Sequence, residues 1–234
     1  MAPSDPPGPL IGAGRAADVY AIGGDRVLRR YRTPFSVEPE AVLMRHLDQA
    51  GFPVPKVYDA DGSDLVLERL DGRDMLADLA RRPWLARRHA RTLADMHNRL
   101  HQVRAPAGWP EVAGPGDKVL HLDLHPGNVM LTSRGPVVID WSNVRSGPAG
   151  ADVAMAYLIM ASSEVDDLPL LVRPVVSSVR AAVIRHFLAG ARDDPAPYIA
   201  AVARLRMADR NVRPAEADWL ARKIAETERA AAAS

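Results

Sequence analysis

The chain has 234 residues, of which 47% are hydrophobic and 25% charged, values typical of a soluble globular protein with one or two domains. The chain contains 30 Lys and Arg residues and 29 Asp and Glu residues. The resulting net charge of +1 gives no field that would draw the chain to nucleic acid or to a membrane. Cysteine is absent, which excludes disulfides and thiolate metal sites; with no signal peptide and no apolar run of ~20 residues, this predicts a soluble, cytoplasmic protein.

The first third of the sequence has the pattern of a strand-rich region with one helix. The runs ADVYAI (17–22) and RVLRRY (26–31) are joined by Gly-Gly-Asp, which predicts a β-hairpin. Ser36 is suited to cap a helix that runs to about Gln49 and ends at Gly51. The segment DGSDLVLERL then predicts a turn followed by a strand.

After residue 72 the apolar residues recur with helical spacing. Residues 84–101 place an apolar stripe on one face of a predicted helix, and His97 and His101 on or near that stripe are expected in core or capping roles. The runs NVML and PVVID, separated by TSRG, predict two short strands. The remainder of the chain, from about residue 150, is predicted to be mostly helical and broken at prolines.

The stretch HLDLHPGN (121–128) carries a carboxylate and a carboxamide five residues apart. Asp123 could orient or deprotonate a hydroxyl, and Asn128 offers an oxygen ligand of the kind that Mg²⁺ prefers. A second carboxylate, Asp140, closes the run PVVID, and a hairpin could bring it close to Asn128. These are the groups that phosphoryl transfer from a nucleoside triphosphate needs.

HLDLHPGNVM followed by VVIDWSN resembles the aminoglycoside phosphotransferase and choline kinase group, which is related to the protein kinases. The resemblance implies a two-lobed, protein-kinase-like α+β fold, with an antiparallel-sheet N-lobe (1–70) and a mainly helical C-lobe (71–234). It implies that Asp123 is the catalytic aspartate, that Asn128 and Asp140 bind Mg²⁺, and that His125 contacts phosphate or substrate.

The same resemblance extends to the N-terminal region, where GAGRAADV is similar to a kinase glycine-rich loop with alanine in place of the third glycine. It implies that Arg29 stands where the family usually has a phosphate-binding lysine, and that Glu40 on the first helix pairs with it. It also implies that LVLERLDG contains the hinge whose backbone binds adenine. The residues expected to hold the nucleotide are Gly12, Gly14, Val19, Val27, Arg29, Glu40, Glu68 and Leu70.

Asp152 resembles the family's aspartate at the start of the next helix, where as an N-cap it could brace the catalytic loop, HLDLHPGN (121–128). Only eleven residues separate it from Asp140, which leaves no room for a long activation loop and makes a protein kinase a distant alternative.

We therefore expect a small-molecule kinase that uses ATP, or GTP, with Mg²⁺ to phosphorylate a hydroxyl of an aminoglycoside-like, amino-sugar or choline-like acceptor. The alternative is a kinase-like module that binds nucleotide without turnover, favoured by the arginine and alanine replacements. Either a monomer or a homodimer is compatible with the sequence. The segment SSEVDD (162–167) would be a solvated helix end or an acidic wall for a cationic acceptor.

Overall fold

The computed structural model describes residues 8–14, 16–34, 36–163, 169–209 and 212–232. The chain divides into two compact units. The first comprises Met1–Arg73 and Met130–Ser142, and the second comprises Asp74–Val129 and Asn143–Ser234. The predicted α+β class is confirmed, because the first unit is built on an antiparallel sheet and the second is mainly helical.

The first unit contains a five-stranded antiparallel sheet with the strand order β1-β2-β3-β5-β4. The predicted hairpin is confirmed, since Ala21 lies opposite Val27 and the chain turns through Gly23 and Gly24 with positive φ of 97° and 56°. Glycine adopts such angles without steric cost. The strands are β1 (Leu10–Ala13), β2 (Ala17–Ala21), β3 (Arg26–Tyr31), β4 (Val57–Asp61) and β5 (Asp64–Glu68).

Helix α1 (Glu38–Gln49) follows the β2–β3 hairpin and buries one apolar face. The prediction that Ser36 caps it was wrong, because Val37 is the N-cap residue and no side chain makes a capping hydrogen bond. Val37 is fully buried and its N–H donates to the carbonyl of Gly62 at 3.0 Å. Burial of this valine, rather than capping by a hydroxyl, therefore sets where the helix begins.

A second, three-stranded sheet has the order β6-β8-β9. Its strands are β6 (Arg73–Asp74), β8 (Val129–Thr132) and β9 (Gly135–Val138), so the two predicted runs do form neighbouring strands. Just before β6, Gly72 has φ of 146°, and a Cβ at this position would lie 2.2 Å from the carbonyl oxygen of Leu131. Only glycine permits this backbone approach.

The second unit is mainly helical and also contains a two-stranded antiparallel ladder formed by β7 (Lys118–Leu120) and β10 (Arg145–Gly147). The predicted helix over 84–101 is present as a short 3₁₀ turn followed by α3. The α-helices are α2 (Met75–Arg81), α3 (Ala86–Leu100), α4 (Ala149–Ser162), α5 (Arg173–Gly190), α6 (Ile199–Met207) and α7 (Pro214–Ala232).

The core of the second unit anchors the segment that carries the predicted catalytic residues. Leu120 and Leu122 pack in one cluster with side chains of α4, α6 and α7, including Met155, Val202 and Leu220. Core packing thus fixes the apolar residues on either side of His121. The backbone position of Asp123, which follows directly, is fixed as a result.

Among the described residues, no helix combines the length and the apolar character that crossing a membrane requires.

Candidate active site

The segment from β7 to β8 has a strained backbone next to the candidate catalytic aspartate. Leu122 has φ of 59°, an angle that is uncommon for any residue other than glycine. It is held there by burial of its side chain and by its N–H, which donates to Asp152 Oδ1 at 2.7 Å. Strain of this kind costs about 1–3 kcal/mol and is concentrated at functional sites.

Asn128 fixes the orientation of Asp123 through two hydrogen bonds. Its Nδ2 donates to the backbone oxygen of Asp123 at 2.8 Å and to the Asp123 Oδ2 at 2.9 Å. Because the amide nitrogen makes both bonds, the side-chain oxygen of Asn128 is the atom left to serve as a ligand of a hard cation. The pair thus combines an oriented carboxylate with a candidate metal ligand.

The His125 imidazole lies on the other side of the same carboxylate. The Gly127 N–H donates to its Nδ1 at 3.1 Å, so the proton of a neutral ring sits on Nε2. That nitrogen is 3.8 Å from Asp123 Oδ1, which is longer than a hydrogen bond. His125 is therefore placed to present an N–H next to Asp123.

Asp152 and His101 are buried next to the catalytic loop, and Asp152 bonds to its backbone at Leu122. Asp152 is fully buried, and its Oδ2 lies 3.1 Å from His101 Nε2, while His101 Nδ1 lies 2.9 Å from Asp193 Oδ2. Burial acts to lower the pKa of His101, but the hydrogen bonds to the two carboxylates outweigh it and raise the pKa to about 9. For Asp152, burial opposes ionisation, and the bond to His101 outweighs it and lowers the pKa to about 2.

His97 lies beside this pair and behaves differently. Its Nδ1 donates to the carbonyl of Leu93 at 3.0 Å, and its Nε2 is the one fully buried side-chain polar atom in the described ranges that has no hydrogen-bond partner. Burial lowers its pKa to about 4, so the ring is neutral. Its ring packs edge-on against Phe187 at 4.9 Å between centroids, as expected of a core residue.

In the first unit, Arg29 joins two carboxylates that are distant in sequence. Its Nη1 donates to Glu40 Oε1 at 3.0 Å, and its Nη2 donates to Asp140 Oδ1 at 2.6 Å. Burial opposes the charge of the guanidinium, but Asp140 and Glu40 outweigh it and raise the pKa of Arg29. The predicted pairing of Arg29 with the glutamate of α1 is therefore present in the structure.

Asp140 itself has an unusual backbone and further support. Its φ is 66°, and the Ser142 hydroxyl donates to its Oδ1 at 3.1 Å. The side chain of Asp140 is 39% exposed, whereas that of Glu40 is buried, with only 2% of its surface exposed. Asp140 thus combines a defined position with access for a ligand.

Two glycines of the glycine-rich segment lie at the end of β1, next to β2. Gly12 lies opposite Val19, and the Gly14 N–H donates to the carbonyl of Ala17 at 2.9 Å. A Cβ on Gly14 would lie 3.1 Å from that same oxygen, so a larger residue would crowd this contact. Val27 is buried in the neighbouring strand β3.

The segment predicted as a hinge follows β5. The N–H of Glu68 donates to the carbonyl of Lys56 at 2.9 Å, so an adenine contact at this residue would have to use its carbonyl oxygen. The Glu68 side chain forms an ion pair with Arg134, with 2.7 Å between Glu68 Oε2 and Arg134 Nη2. Leu70 lies just beyond the strand and is half-buried.

Comparison with known proteins identifies the group to which this chain is related. Residues 8–118 and 117–198 match the family described as "Phosphotransferase enzyme family", APH. The chain belongs to this phosphotransferase enzyme family. The predicted resemblance and the prediction of an enzyme of the kinase type are thereby confirmed.

Two solved structures share the fold of this phosphotransferase. A choline/ethanolamine kinase family protein from Mesorhizobium loti aligns over 97% of this chain and 88% of its own, with 17% identity and a TM-score of 0.57. A thermostable mutant of the aminoglycoside phosphotransferase APH(4)-Ia, in its apo form, aligns over 96% of this chain and 94% of its own, with 15% identity and a TM-score of 0.64. Comparison with curated protein sequences finds no match. The predicted protein-kinase-like fold is confirmed by these similarities.

The position of Asp152 in the phosphotransferase corrects one prediction. Asp152 is not an N-cap, because α4 begins at Ala149 with Pro148 as its N-cap residue, which places Asp152 inside the first turn. The loop-bracing part of the prediction is present in the bond to Leu122. The tertiary contact, rather than capping, therefore explains the aspartate.

Sequence reasoning missed two groups in the phosphotransferase. Tyr31 donates to Glu40 Oε2 at 2.6 Å, and Asp193 pairs with His101. Strand alternation places Tyr31 on the same face as Arg29, so this signal was available in the sequence. The contact of Asp193 joins residues 92 positions apart, and no local pattern indicates it.

Proposed function

We propose that this phosphotransferase moves the γ-phosphate of ATP, with Mg²⁺, to a hydroxyl group of a small molecule. The observation that carries the proposal is the double hydrogen bond from Asn128 to Asp123, which orients a carboxylate and leaves an amide oxygen for a cation. Family membership supports the reaction type.

Asp123 is the proposed catalytic residue. Its carboxylate would accept the proton of the acceptor hydroxyl or orient that hydroxyl for attack on the γ-phosphate. Asn128 donates a hydrogen bond to Oδ2 of Asp123. We therefore assign Oδ1 of Asp123, which lies on the side of His125, to the acceptor hydroxyl. His125 would donate its Nε2–H to the transferred phosphate or to the acceptor.

Asn128 and Asp140 are the proposed Mg²⁺ ligands, and their chemistry fits this ion. Both offer oxygen, which a hard cation prefers, and Mg²⁺ typically takes one or two protein ligands and completes its shell with phosphate oxygens and water. Within the described ranges, no cluster of three or more His, Asp or Glu side chains forms a metal site by itself. When bound, the ion would neutralise phosphate charge.

The nucleotide would be held by residues of the first unit. The amides around Gly12 and Gly14 would approach the phosphates, Val19 and Val27 would pack on the adenine, and Arg29 would contact the α- and β-phosphates. Glu40 would orient Arg29, and the backbone of Glu68 and Leu70 would bind the base. ATP is the proposed donor, and GTP is the alternative donor.

The acceptor we propose is a small molecule with a hydroxyl group, such as an amino-sugar, an aminoglycoside or a choline-like amine. The two structural relatives are named for acceptors of these kinds. Residues 164–167 of the predicted acidic wall lie outside the described residues. We expect the protein to act as a monomer or homodimer in the cytoplasm, with neither nucleic acid nor membrane as its partner.

The test is a transfer assay with the purified chain. Wild-type protein is incubated with Mg²⁺ and ATP or GTP, together with aminoglycosides, choline analogues and sugars, and the products are read by mass spectrometry. We expect one acceptor class to gain a phosphoryl group in proportion to the nucleoside diphosphate released. Absence of any phosphorylated product across the panel would contradict the proposal.

A nucleotide-binding module without turnover is the second candidate. The observation that favours it is the ion pair from Arg29 to Asp140 at 2.6 Å, which engages the proposed metal ligand. Thermal stabilisation of the protein by ATP, without diphosphate release or product, would favour this candidate over the enzyme.

A further inference from the structure

Arginine at position 29 poses a geometric problem that a lysine would not. A guanidinium presents two parallel N–H groups that match a single carboxylate, and such bidentate pairs are among the strongest side-chain hydrogen bonds. Glu40 is buried beside Arg29 and is the natural partner for such a pair. A fully bidentate pair with Glu40 would withdraw Arg29 from Asp140 and from any phosphate.

The structure shows that Arg29 does not pair in this way. Its two terminal nitrogens are divided, with Nη1 on Glu40 Oε1 at 3.0 Å and Nη2 on Asp140 Oδ1 at 2.6 Å. The second oxygen of Glu40 accepts the Tyr31 hydroxyl at 2.6 Å. The backbone N–H of Trp141 also bonds to Glu40. Glu40 is therefore occupied on the side where a bidentate pair would form.

Tyr31 contacts both members of the pair. Its ring lies under the guanidinium, with the Arg29 Cζ 5.0 Å from the ring centroid, within the range of a cation–π contact. Burial and the Glu40 carboxylate raise the pKa of Tyr31, so its hydroxyl keeps its proton and remains a donor. The phenol thus acts on Glu40 with its hydroxyl and on Arg29 with its ring.

We propose that Tyr31 is a positioning residue that keeps Glu40 from capturing both nitrogens of Arg29, so that one end of the guanidinium stays available to Asp140 and the nucleotide phosphates. The inference rests on the proposed function, because it assigns Arg29 to the nucleotide. According to this inference, Tyr31 is needed because residue 29 is an arginine with two terminal nitrogens. A lysine at position 29 has a single side-chain nitrogen and would not need Tyr31.

The test is a double-mutant cycle that combines Tyr31→Phe with Arg29→Lys, measured as the ATP dissociation constant and as separate kcat and KM values. We expect Tyr31→Phe alone to weaken ATP binding about tenfold, equivalent to about 1.4 kcal/mol. In the Arg29→Lys background the same change should alter binding less than twofold. An equal loss in both backgrounds, or no loss in either, would overturn the inference.

The chain provides a matched control in Tyr58, which has the same pair of contacts on the surface of the sheet. The Tyr58 hydroxyl donates to Asp25 Oδ2 at 3.1 Å, and the Arg26 Cζ lies 4.3 Å from its ring centroid. Tyr58→Phe removes the same atom and should leave ATP affinity unchanged in both backgrounds. A comparable loss in this variant would mean that the effect of Tyr31→Phe is not specific to the site, and would count against the inference.

A crystal structure of Tyr31→Phe tests the inference independently of activity. We expect both Nη atoms of Arg29 to pair with the two oxygens of Glu40, with the contact to Asp140 lost. Retention of the divided arrangement would overturn the inference even in an active enzyme. If wild-type protein neither binds nor turns over ATP, the proposed function fails, and this structure still decides the role of Tyr31.

Discussion

Asp140 is the residue at which Arg29 and the proposed cation would meet. It accepts Arg29 and Ser142 on Oδ1, and its left-handed backbone holds the carboxylate in a defined position. Two positive partners on one carboxylate repel each other, so cation binding should loosen the contact with Arg29 and leave it to the phosphates. The ion pair between Arg29 and Asp140 is therefore compatible with binding of the cation.

Replacing Asp140 by Asn separates metal-dependent from metal-independent nucleotide binding. We expect Asp140→Asn to weaken ATP binding in Mg²⁺ at least tenfold, about 1.4 kcal/mol, because a charged ligand of the ion is lost. Without Mg²⁺, ATP affinity should stay equal or rise, because a negative charge near the phosphates is removed. Isothermal titration calorimetry with and without Mg²⁺ measures both values.

The exposed Asp61 at the end of β4 supplies the control for this substitution. Asp61→Asn changes the net charge equally and should leave both affinities unaltered. Equal weakening by Asp140→Asn in the presence and absence of Mg²⁺ would show that Asp140 is not a metal ligand.

At the scale of secondary-structure elements, a charged cluster of His101, Asp152 and Asp193 connects α3 and α4 to the catalytic loop. His101 closes α3, Asp152 lies in the first turn of α4, and Asp193 follows α5. Because folding raises the pKa of His101 from 6.5 to about 9, its contribution is fully present below pH 6.5 and is lost as the pH rises through 9. The rise of this pKa from 6.5 to about 9 corresponds to about 3–4 kcal/mol at most, since one pKa unit is about 1.4 kcal/mol.

Asp193→Asn tests this link with little risk to the fold, because Asp193 is the more exposed of the two carboxylates, at 35%. Removing one negative partner lowers the pKa of His101, so the alkaline loss of stability should begin at lower pH than in wild type. Chemical denaturation between pH 6 and 10, read as the free energy of unfolding, is the measurement. The neighbouring Asp194, whose side chain accepts the Ala196 N–H, is the matched control. Superimposable alkaline profiles for wild type and Asp193→Asn would contradict the account.

Local patterns predicted several elements well, for a physical reason. The β2–β3 hairpin depends on a Gly-Gly turn between alternating strands, and the long helix depends on its apolar stripe; both signals are contained within a few residues. The two failures, Ser36 and Asp152 as caps, have one cause. In each case a tertiary contact, the burial of Val37 or the bond to Leu122, outweighed the local preference for a capping side chain.

For the molecule as a whole, motifs indicate the candidate site residues and the pairing of Arg29 with Glu40, but not the other contacts that these residues make. Arg29 and Asp140 are 111 positions apart, and His101 and Asp152 are 51 apart, so spacing alone gives no sign of either contact. The order of the motifs predicted the family, because the glycine loop, the catalytic loop and the second carboxylate follow one another as in related kinases. Strand alternation indicates that Tyr31 shares a face with Arg29, but the bond of its hydroxyl to Glu40 emerges only when the folded partners are known.

We expect Asp123 to act in phosphoryl transfer and the first unit to bind the nucleotide. Asp123 lies in the second unit, whereas the proposed nucleotide ligands Arg29, Glu40 and Asp140 lie in the first, so we expect its loss to spare ATP binding. Loss of a positioned base lowers a rate by roughly 10²- to 10⁴-fold. Asp95→Asn, on the exposed face of α3, controls for the loss of one acidic side chain in the same unit.

The most direct measurement is therefore the phosphoryl-transfer rate of Asp123→Ala beside its ATP dissociation constant, with wild type and Asp95→Asn in parallel. We expect the transfer rate of Asp123→Ala to fall at least about a hundredfold, while its ATP dissociation constant stays within about threefold of the wild-type value. Transfer by Asp123→Ala at the wild-type rate would contradict the proposed role of Asp123.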